Sequence, residues 1–251
     1  MEYHAFNPPV ENREMKKIVP FVIMLIIFLA KPCEGYSKMV LESNLTGSAA
    51  GDSTRQSMIL YNGRIWQNLW YMIEGDQFLF SNDFLPGTLT MRGKTFRNIR
   101  LKVDVFKDEV LIPVPGGGIL QVNKEMVDSF SFVYHDKSYH FLKSTLTGPE
   151  EMTGYVSVLY SGKTSLCIKY FKKTEPPRGE GDLDKFYQGM RIMVIKDNIS
   201  SQIKSKKDLL EVFKDHSDQL KSYIKKNRLA VSGSDPESFI PVLRYYDSIS
   251  N

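Results

Sequence analysis

Alternation dominates the middle of this chain. Ile99, Leu101, Val103 and Val105 fall on one parity while Asn98, Arg100, Lys102 and Asp104 fall on the other, which is the period of a strand with one buried face. The same period recurs at Phe130, Phe132 and Tyr134, at Tyr139 and Phe141, and at Leu166, Ile168 and Tyr170. Arg92-Gly93, Lys107-Asp108, Asp136-Lys137 and Ser161-Gly162 separate such runs. Connections this short join antiparallel neighbours, because a parallel return needs a long crossover. Pro113-Val114-Pro115-Gly116-Gly117-Gly118 cannot continue a central strand and reads as a loop. The pattern predicts an α+β, mainly β fold. Over residues 56–171 it predicts an antiparallel meander of about eight strands, forming a curved sheet, an open barrel or a sandwich.

Lys172 to Asp182, with Pro176-Pro177, reads as a linker. Residues 183–251 then predict a small hairpin, with Phe186-Tyr187 on one arm and Ile192 to Ile195 on the other, and a short C-terminal helical segment docked on the β-domain. Ser205 is placed to cap a helix carrying Leu209, Leu210, Val212 and Phe213, and Ser217 one carrying Leu220, Tyr223 and Ile224. Ser234-Asp235-Pro236 starts a third with Phe239, Ile240, Val242, Leu243 and Tyr246. Helices this short are not stable alone in water. Each must lay its apolar stripe on the sheet or on another protein.

The amino end follows a different pattern. Met15-Lys16-Lys17 precedes an unbroken apolar run from Ile18 to Ala30, followed by Lys31-Pro32-Cys33-Glu34-Gly35. About a dozen apolar residues suit the core of a secretory signal, whereas a bilayer span takes roughly twenty. Residues 1–35 are read as an upstream extension plus signal peptide, the extension arising from a start placed too far upstream. Cleavage is expected before Tyr36, and residues 36–55, rich in Ser, Gly, Asn and Thr, as a flexible leader. Two alternatives keep the chain on a membrane: a lipid at Cys33, or an uncleaved anchor formed by residues 18–30.

Removal of the signal takes four basic and four acidic residues, so the formal charge stays at +4. That mild balance argues against nucleic acid as a partner. Of the two cysteines, Cys33 lies in the signal and Cys167 is left alone, which excludes a disulfide-built scaffold and favours a bacterial envelope compartment. The sequons Asn44-Leu45-Thr46 and Asn198-Ile199-Ser200 are then chance matches. Three stretches, Leu60 to Trp66, Gly75 to Phe80 and Glu237 to Asp247, resemble exported proteins of Bacteroidetes-type bacteria that have no assigned function. The resemblance covers most of the mature chain and implies an envelope location; it carries no functional residues with it.

Chemical motifs are sparse. His135 and His140 flank a turn with Asp136 between them, but no zinc spacing is present, and no metal or cofactor is expected. Cys167, on the parity opposite Ile168, reads as an inert and partly exposed strand cysteine. Gly162-Lys163-Thr164 imitates the end of a phosphate loop but lacks the earlier glycine and is followed by a strand instead of a helix. Asp104, Asp108 and Glu109 lie close together, as hydrolytic carboxylates do, yet read as solvated turn acids. Lys221, Lys225, Lys226 and Arg228 read as the solvated face of a helix. Trp66 and Trp70, with Tyr61 and Tyr71, are the candidate ligand-binding residues, since indole faces stack on sugars or peptide side chains; a core role for both tryptophans is the competing reading. The combined expectation is an exported protein of the periplasm or cell surface that binds a protein or glycan in the envelope without catalysis. The alternatives are an envelope hydrolase with a concealed acidic site and a membrane-tethered interaction protein. Contact with the membrane is expected only through an uncleaved signal.

Overall fold

The computed structural model describes residues 58–144, 153–177, 179 and 181–250. The signal, its cleavage site and the leader lie outside the described residues. Among the described residues eleven strands form one antiparallel sheet: β1 (Gly63–Ile65), β2 (Leu85–Met91), β3 (Lys94–Asp104), β4 (Glu109–Pro113), β5 (Ile119–Val122), β6 (Val127–Tyr134), β7 (Lys137–Ser144), β8 (Gly154–Ser161), β9 (Ser165–Glu175), β10 (Lys185–Lys196) and β11 (Ile199–Ile203). Their order is β1-β5-β4-β3-β2-β6-β7-β8-β9-β10-β11, an open sheet with edges at β1 and β11. The mainly β, antiparallel expectation holds. The strand number is higher because the shortest strands are too brief to show a period.

Turn chemistry sets the register. Arg92-Gly93, His135-Asp136 and Asp197-Asn198 each have both residues at positive φ, and each closes a two-residue hairpin of the type whose twist matches the strands it joins. Lys137 is therefore not in the turn, as expected from the sequence, but pairs with Tyr134 at the start of β7.

β2 is gripped on both sides. A Cβ at Gly87 would sit 2.1 Å from the Ser131 carbonyl oxygen, so the approach of β6 requires glycine here. Beside it the pairing of β2 with β3 slips between Gly87 and Leu89, and Asn98 takes φ 54°. Such a bulge bends the strand. Past it, β3 pairs with β4 from Lys102 to Asp104.

Two connections depart from a meander, β1 to β2 and β5 to β6. Only Asn123–Met126 separates β5 from β6, although β4, β3 and β2 lie between them in the sheet. So short a link brings the two arms of the sheet face to face. Val103, Val110, Ile112, Leu120 and Val122 of one arm share a core with Leu89, Met91, Phe130, Phe132 and Phe141 of the other.

A second core lies under the helices Lys206–Val212, Ser217–Lys226 and Ile240–Ile249. Leu209, Phe213, Leu220, Ile224, Phe239, Val242, Leu243 and Tyr246 cover Leu166, Ile192, Val194 and Ile203 of the sheet. Ser205 caps the first helix by accepting a hydrogen bond from the Asp208 amide, and the Asp208 carboxylate accepts one from the Lys204 amide. Ser217 is not the expected cap: it is the first residue of its helix, and no side chain caps that end. Pro236 opens a 3-10 turn, Pro236–Phe239, and the α-helix starts one residue later at Ile240.

The sequence reading is also corrected at the expected linker and hairpin. Lys172–Glu175 continues β9, pairing with Gln188–Lys185. Phe186 and Ile192 lie on one strand, β10, whose hairpin partner is β11. The error has a physical source. Thr174, Glu175, Lys185 and Tyr187 are exposed, so this end of the β9–β10 pair carries linker-like composition on a hydrogen-bonded ladder.

The last helix is held by a carboxylate. Asp247 accepts hydrogen bonds from the Thr164 amide (3.1 Å) and hydroxyl (2.7 Å) and from the Tyr160 hydroxyl (2.8 Å), all in or beside the β8–β9 turn. A Cβ on Gly162 would fall 2.2 Å from the Asp247 Oδ2, and Lys163 donates to the Ser250 carbonyl oxygen. The Gly162-Lys163-Thr164 sequence thus does receive an anion, from its own chain. Truncation after Gly233 should expose the second core and lower the stability of the whole sheet by several kcal/mol, at roughly 1.5–3 kcal/mol for each large side chain uncovered. Asp247→Ala alone should cost about 1–3 kcal/mol. Urea denaturation measures both, and an unchanged midpoint in the truncated chain would show that the helix is not part of the folded unit.

Candidate functional surface

Between β1 and β2 the chain runs without a strand from Trp66 to Phe84, stapled across the sheet by its backbone. The Trp66 amide donates to the Ile119 carbonyl on β5, the Leu79 amide to Val103, and the Val105 amide to Gln77. The Glu74 amide donates to Asp184, and the Phe186 amide returns a bond to Glu74. Lys172 adds an ion pair at 2.9 Å with Asp76. This segment spans from the β5 side of the sheet to β3 and on to β10.

The two indoles anchor it. Trp66 rests on Phe78 with ring centroids 5.8 Å apart. Trp70 meets Phe106 edge-on at 4.9 Å, with the Lys107 ammonium 4.8 Å from the centre of its ring. Phe106 in turn packs on Phe186 at 5.3 Å. Neither tryptophan belongs to the two cores, and both are half-buried. They do not form one platform either: the segment is neither strand nor helix, and each indole rests on a different ring. Tyr61 lies before β1, at the margin of exposure, and Tyr71 points outward, 76% exposed.

Of the candidates from the sequence, Tyr71 faces water fully, and three side chains that the sequence did not single out join it. Ile65 is 64% exposed, Leu69 70% and Met72 61%, alongside Tyr71. No described strand pairs with the outer edge of β1, where Ile65 stands. Trp66, Leu69, Trp70 and Ile73 keep the i, i+3, i+4, i+7 spacing of a helix, but Ile65, Tyr71 and Met72 fall off that stripe, and the segment is not helical. Apolar residues crowded beside a stripe, more than one face can bury, are the signal in the sequence for outward apolar groups.

The acidic trio is built into the fold. Asp104 is 1% exposed and accepts hydrogen bonds from the Phe106 and Lys107 amides at 2.9 and 2.8 Å. Burial pushes its carboxyl up from the ordinary 3.8 to about 6, against the pull of those two bonds. Asp108 pairs with Lys169 and Lys124, each at 2.6 Å, and accepts from the Tyr155 amide. Glu109 faces Arg64 at 3.5 Å. The solvated-acid reading is therefore corrected: the turn crosses the β8–β9 face, where burial and ion pairing replace water.

The remaining candidates separate. His135 occupies the β6–β7 turn and stacks on Tyr134, while His140 sits opposite Ser131, so the register keeps the two rings apart. Cys167 is buried with Val156 and Met193, contrary to the expected partial exposure, because the sheet is covered on both faces at this point. Burial alone pushes its thiol up to about 11. Among the described residues no helix is long and apolar enough to cross a membrane. Comparison with protein-family models, curated proteins and solved structures gives no match.

The Asp104 shift makes a pH prediction. The folded carboxyl holds its proton more tightly than the unfolded one, so its contribution is fully present below about pH 4 and is lost as pH rises through about 6. The loss is on the order of 3 kcal/mol for a two-unit displacement. Asp104→Asn should remove that decline while its side-chain oxygen keeps the turn amides satisfied. Denaturation curves of both proteins from pH 4 to 7 measure the difference, and parallel stability profiles would refute the assignment.

Proposed function

We propose that this chain is an exported bacterial envelope protein acting as a binding module. Its binding surface is the free edge of β1 with the following loop, and its ligand is an extended apolar segment of a protein partner. The observation that carries the reading is the exposure of Ile65, Leu69, Tyr71 and Met72 on a loop whose backbone is pinned at both ends. An unpaired strand edge offers main-chain hydrogen bonds to an added strand, and flanking apolar side chains supply the contacts that select it. Of the two expected partner classes, protein is favoured over glycan. The outward groups are mainly aliphatic, and both indoles are already in contact with protein groups, Trp66 with Phe78 and Trp70 with Phe106 and Lys107. Export is supported by the Ile18 to Ala30 run and by the resemblance to exported proteins of Bacteroidetes-type bacteria, and it places the module in the periplasm or at the cell surface.

Random-peptide display and a glycan array, run on the natural chain and on a Leu69→Ser/Tyr71→Ser/Met72→Ser variant, test the surface. Peptides with alternating apolar residues should be enriched. The variant should bind them at least about tenfold more weakly, a loss of about 1.4 kcal/mol, at an unchanged melting temperature. Selection of glycans alone, or equal binding by the variant, would refute it. Export is checked by intact mass of the protein recovered from an envelope fraction: the expected species begins near Tyr36 without a lipid. One that retains Met1 or Met15 would replace the secreted form with an anchored one, and one that begins at Cys33 with acyl mass would replace it with a lipoprotein.

A further inference from the structure

Two helices and the turn after them border an open cleft of about 610 Å³. Lys206, Lys221, Lys225 and Arg228 line it, over Ile224, Leu229 and Ala230. Lys221 has a carboxylate neighbour, Asp218 at 3.0 Å on the same helix, and that acid is itself almost fully exposed. Among the described residues no carboxylate lies within ion-pair distance of Lys206, Lys225 or Arg228.

Helix energetics account for only part of this cluster. Lys225, in the last turn of Ser217–Lys226, is favoured by the negative end of the helix dipole. Lys206 is placed against the same effect, since it opens Lys206–Val212 at the positive end. Arg228 is also costly where it stands. Its amide donates to the Lys225 carbonyl, the Leu229 amide donates to that of Ile224, and φ at Arg228 is 53°. That closure of a helix end calls for a left-handed residue, and glycine is the usual occupant because L side chains are strained there. Stability alone favours glycine at 228 and a neutral or acidic residue at 206. Both positions carry a cation and line the same cleft.

We propose that this cleft binds a phosphate ester. The guanidinium fork of Arg228 matches two phosphate oxygens, and the three ammonium groups supply point charges around them. Ile224, which is buried, and half-buried Leu229 floor the cleft with apolar surface for the carbon side of the ester. A soluble phosphate monoester and an anionic phospholipid headgroup present this same chemistry.

Phenyl phosphate titrated into the full-length protein at low salt, and flotation with vesicles of phosphatidylcholine with or without phosphatidylglycerol, distinguish the two sources. Amide chemical shifts at Lys206, Arg228 and Leu229 report the position of binding. Saturable binding of phenyl phosphate without flotation assigns a soluble ester, and flotation that requires phosphatidylglycerol assigns a headgroup; either result supports the site. Arg228→Gly should weaken the observed binding at least about tenfold, the loss of one charge-assisted contact, while its melting temperature holds or rises because the left-handed strain is relieved. Lys206→Gln/Lys225→Gln should weaken binding similarly, and the charge-matched control Lys94→Gln/Lys173→Gln should leave it unchanged. Absence of binding to both probes, or equal weakening by the control pair, would overturn the proposal.

Discussion

The link Asn123–Met126 is the constraint on which the rest of this fold depends. It joins two strands that three others separate in the sheet, and no flat sheet can satisfy it. The sheet must turn over on itself, and the turning is concentrated where β3 bulges at Asn98 and β2 carries Gly87. Asp108 locks the result. It reaches from the β3–β4 turn to Lys124 in the link and to Lys169 on β9, tying three parts of the chain at one carboxylate. Burial depresses the readiness of Lys169 to hold its proton, and the Asp108 carboxylate pulls the other way. Removing the acid would leave an unpaired buried cation, which is far more costly than the pair is stabilising.

Folding the sheet over creates the first core but leaves the far strands with an uncovered face. Leu166, Ile192, Val194 and Ile203 continue the apolar surface of the sheet beyond the reach of the first arm, and the three helices complete it. The docking is specific as well as hydrophobic, because Asp247 enters the β8–β9 turn where glycine makes room for it. Asp215 plays a similar part. Partial burial pushes its carboxyl upward, but hydrogen bonds from Lys196, Tyr246 and His216 outweigh that and hold it well below the usual carboxylate range. Carboxylates in this protein are fasteners between elements.

How much of this was legible in the sequence follows from which interactions are local. Alternation at Ile99 to Val105 and the capping pattern at Ser205 are written within a few residues: the cap read correctly, and the alternation found the strand although Lys102 and Asp104 on its polar parity are buried. The strand running through Lys172–Glu175 was missed because its pairing partner on β10 lies beyond a proline-bearing loop and the side chains of Lys173, Thr174 and Glu175 face water. Asp104 and Cys167 were read as exposed for the same reason: parity tells which face a residue is on, but not whether a distant segment covers that face. The anion received by Gly162-Lys163-Thr164 comes from Asp247, more than eighty residues away in the chain, and no short pattern contains it.

The candidate binding surface follows the same logic in reverse. An apolar segment that folds into a core leaves a period behind, since the core lies on one side of it. Trp66 and Trp70 look like the functional residues because they are large, yet their rings are spent on Phe78 and Phe106, fixing the path of the loop. What that fixed path presents to water is Leu69, Tyr71 and Met72 beside Ile65. A flexible loop would fold such side chains back onto the protein. This one is held by backbone bonds to β3, β5 and β10 and keeps them out. An apolar surface maintained by rigidity instead of by burial stays available to a partner, and a pre-ordered surface loses less conformational freedom when that partner arrives.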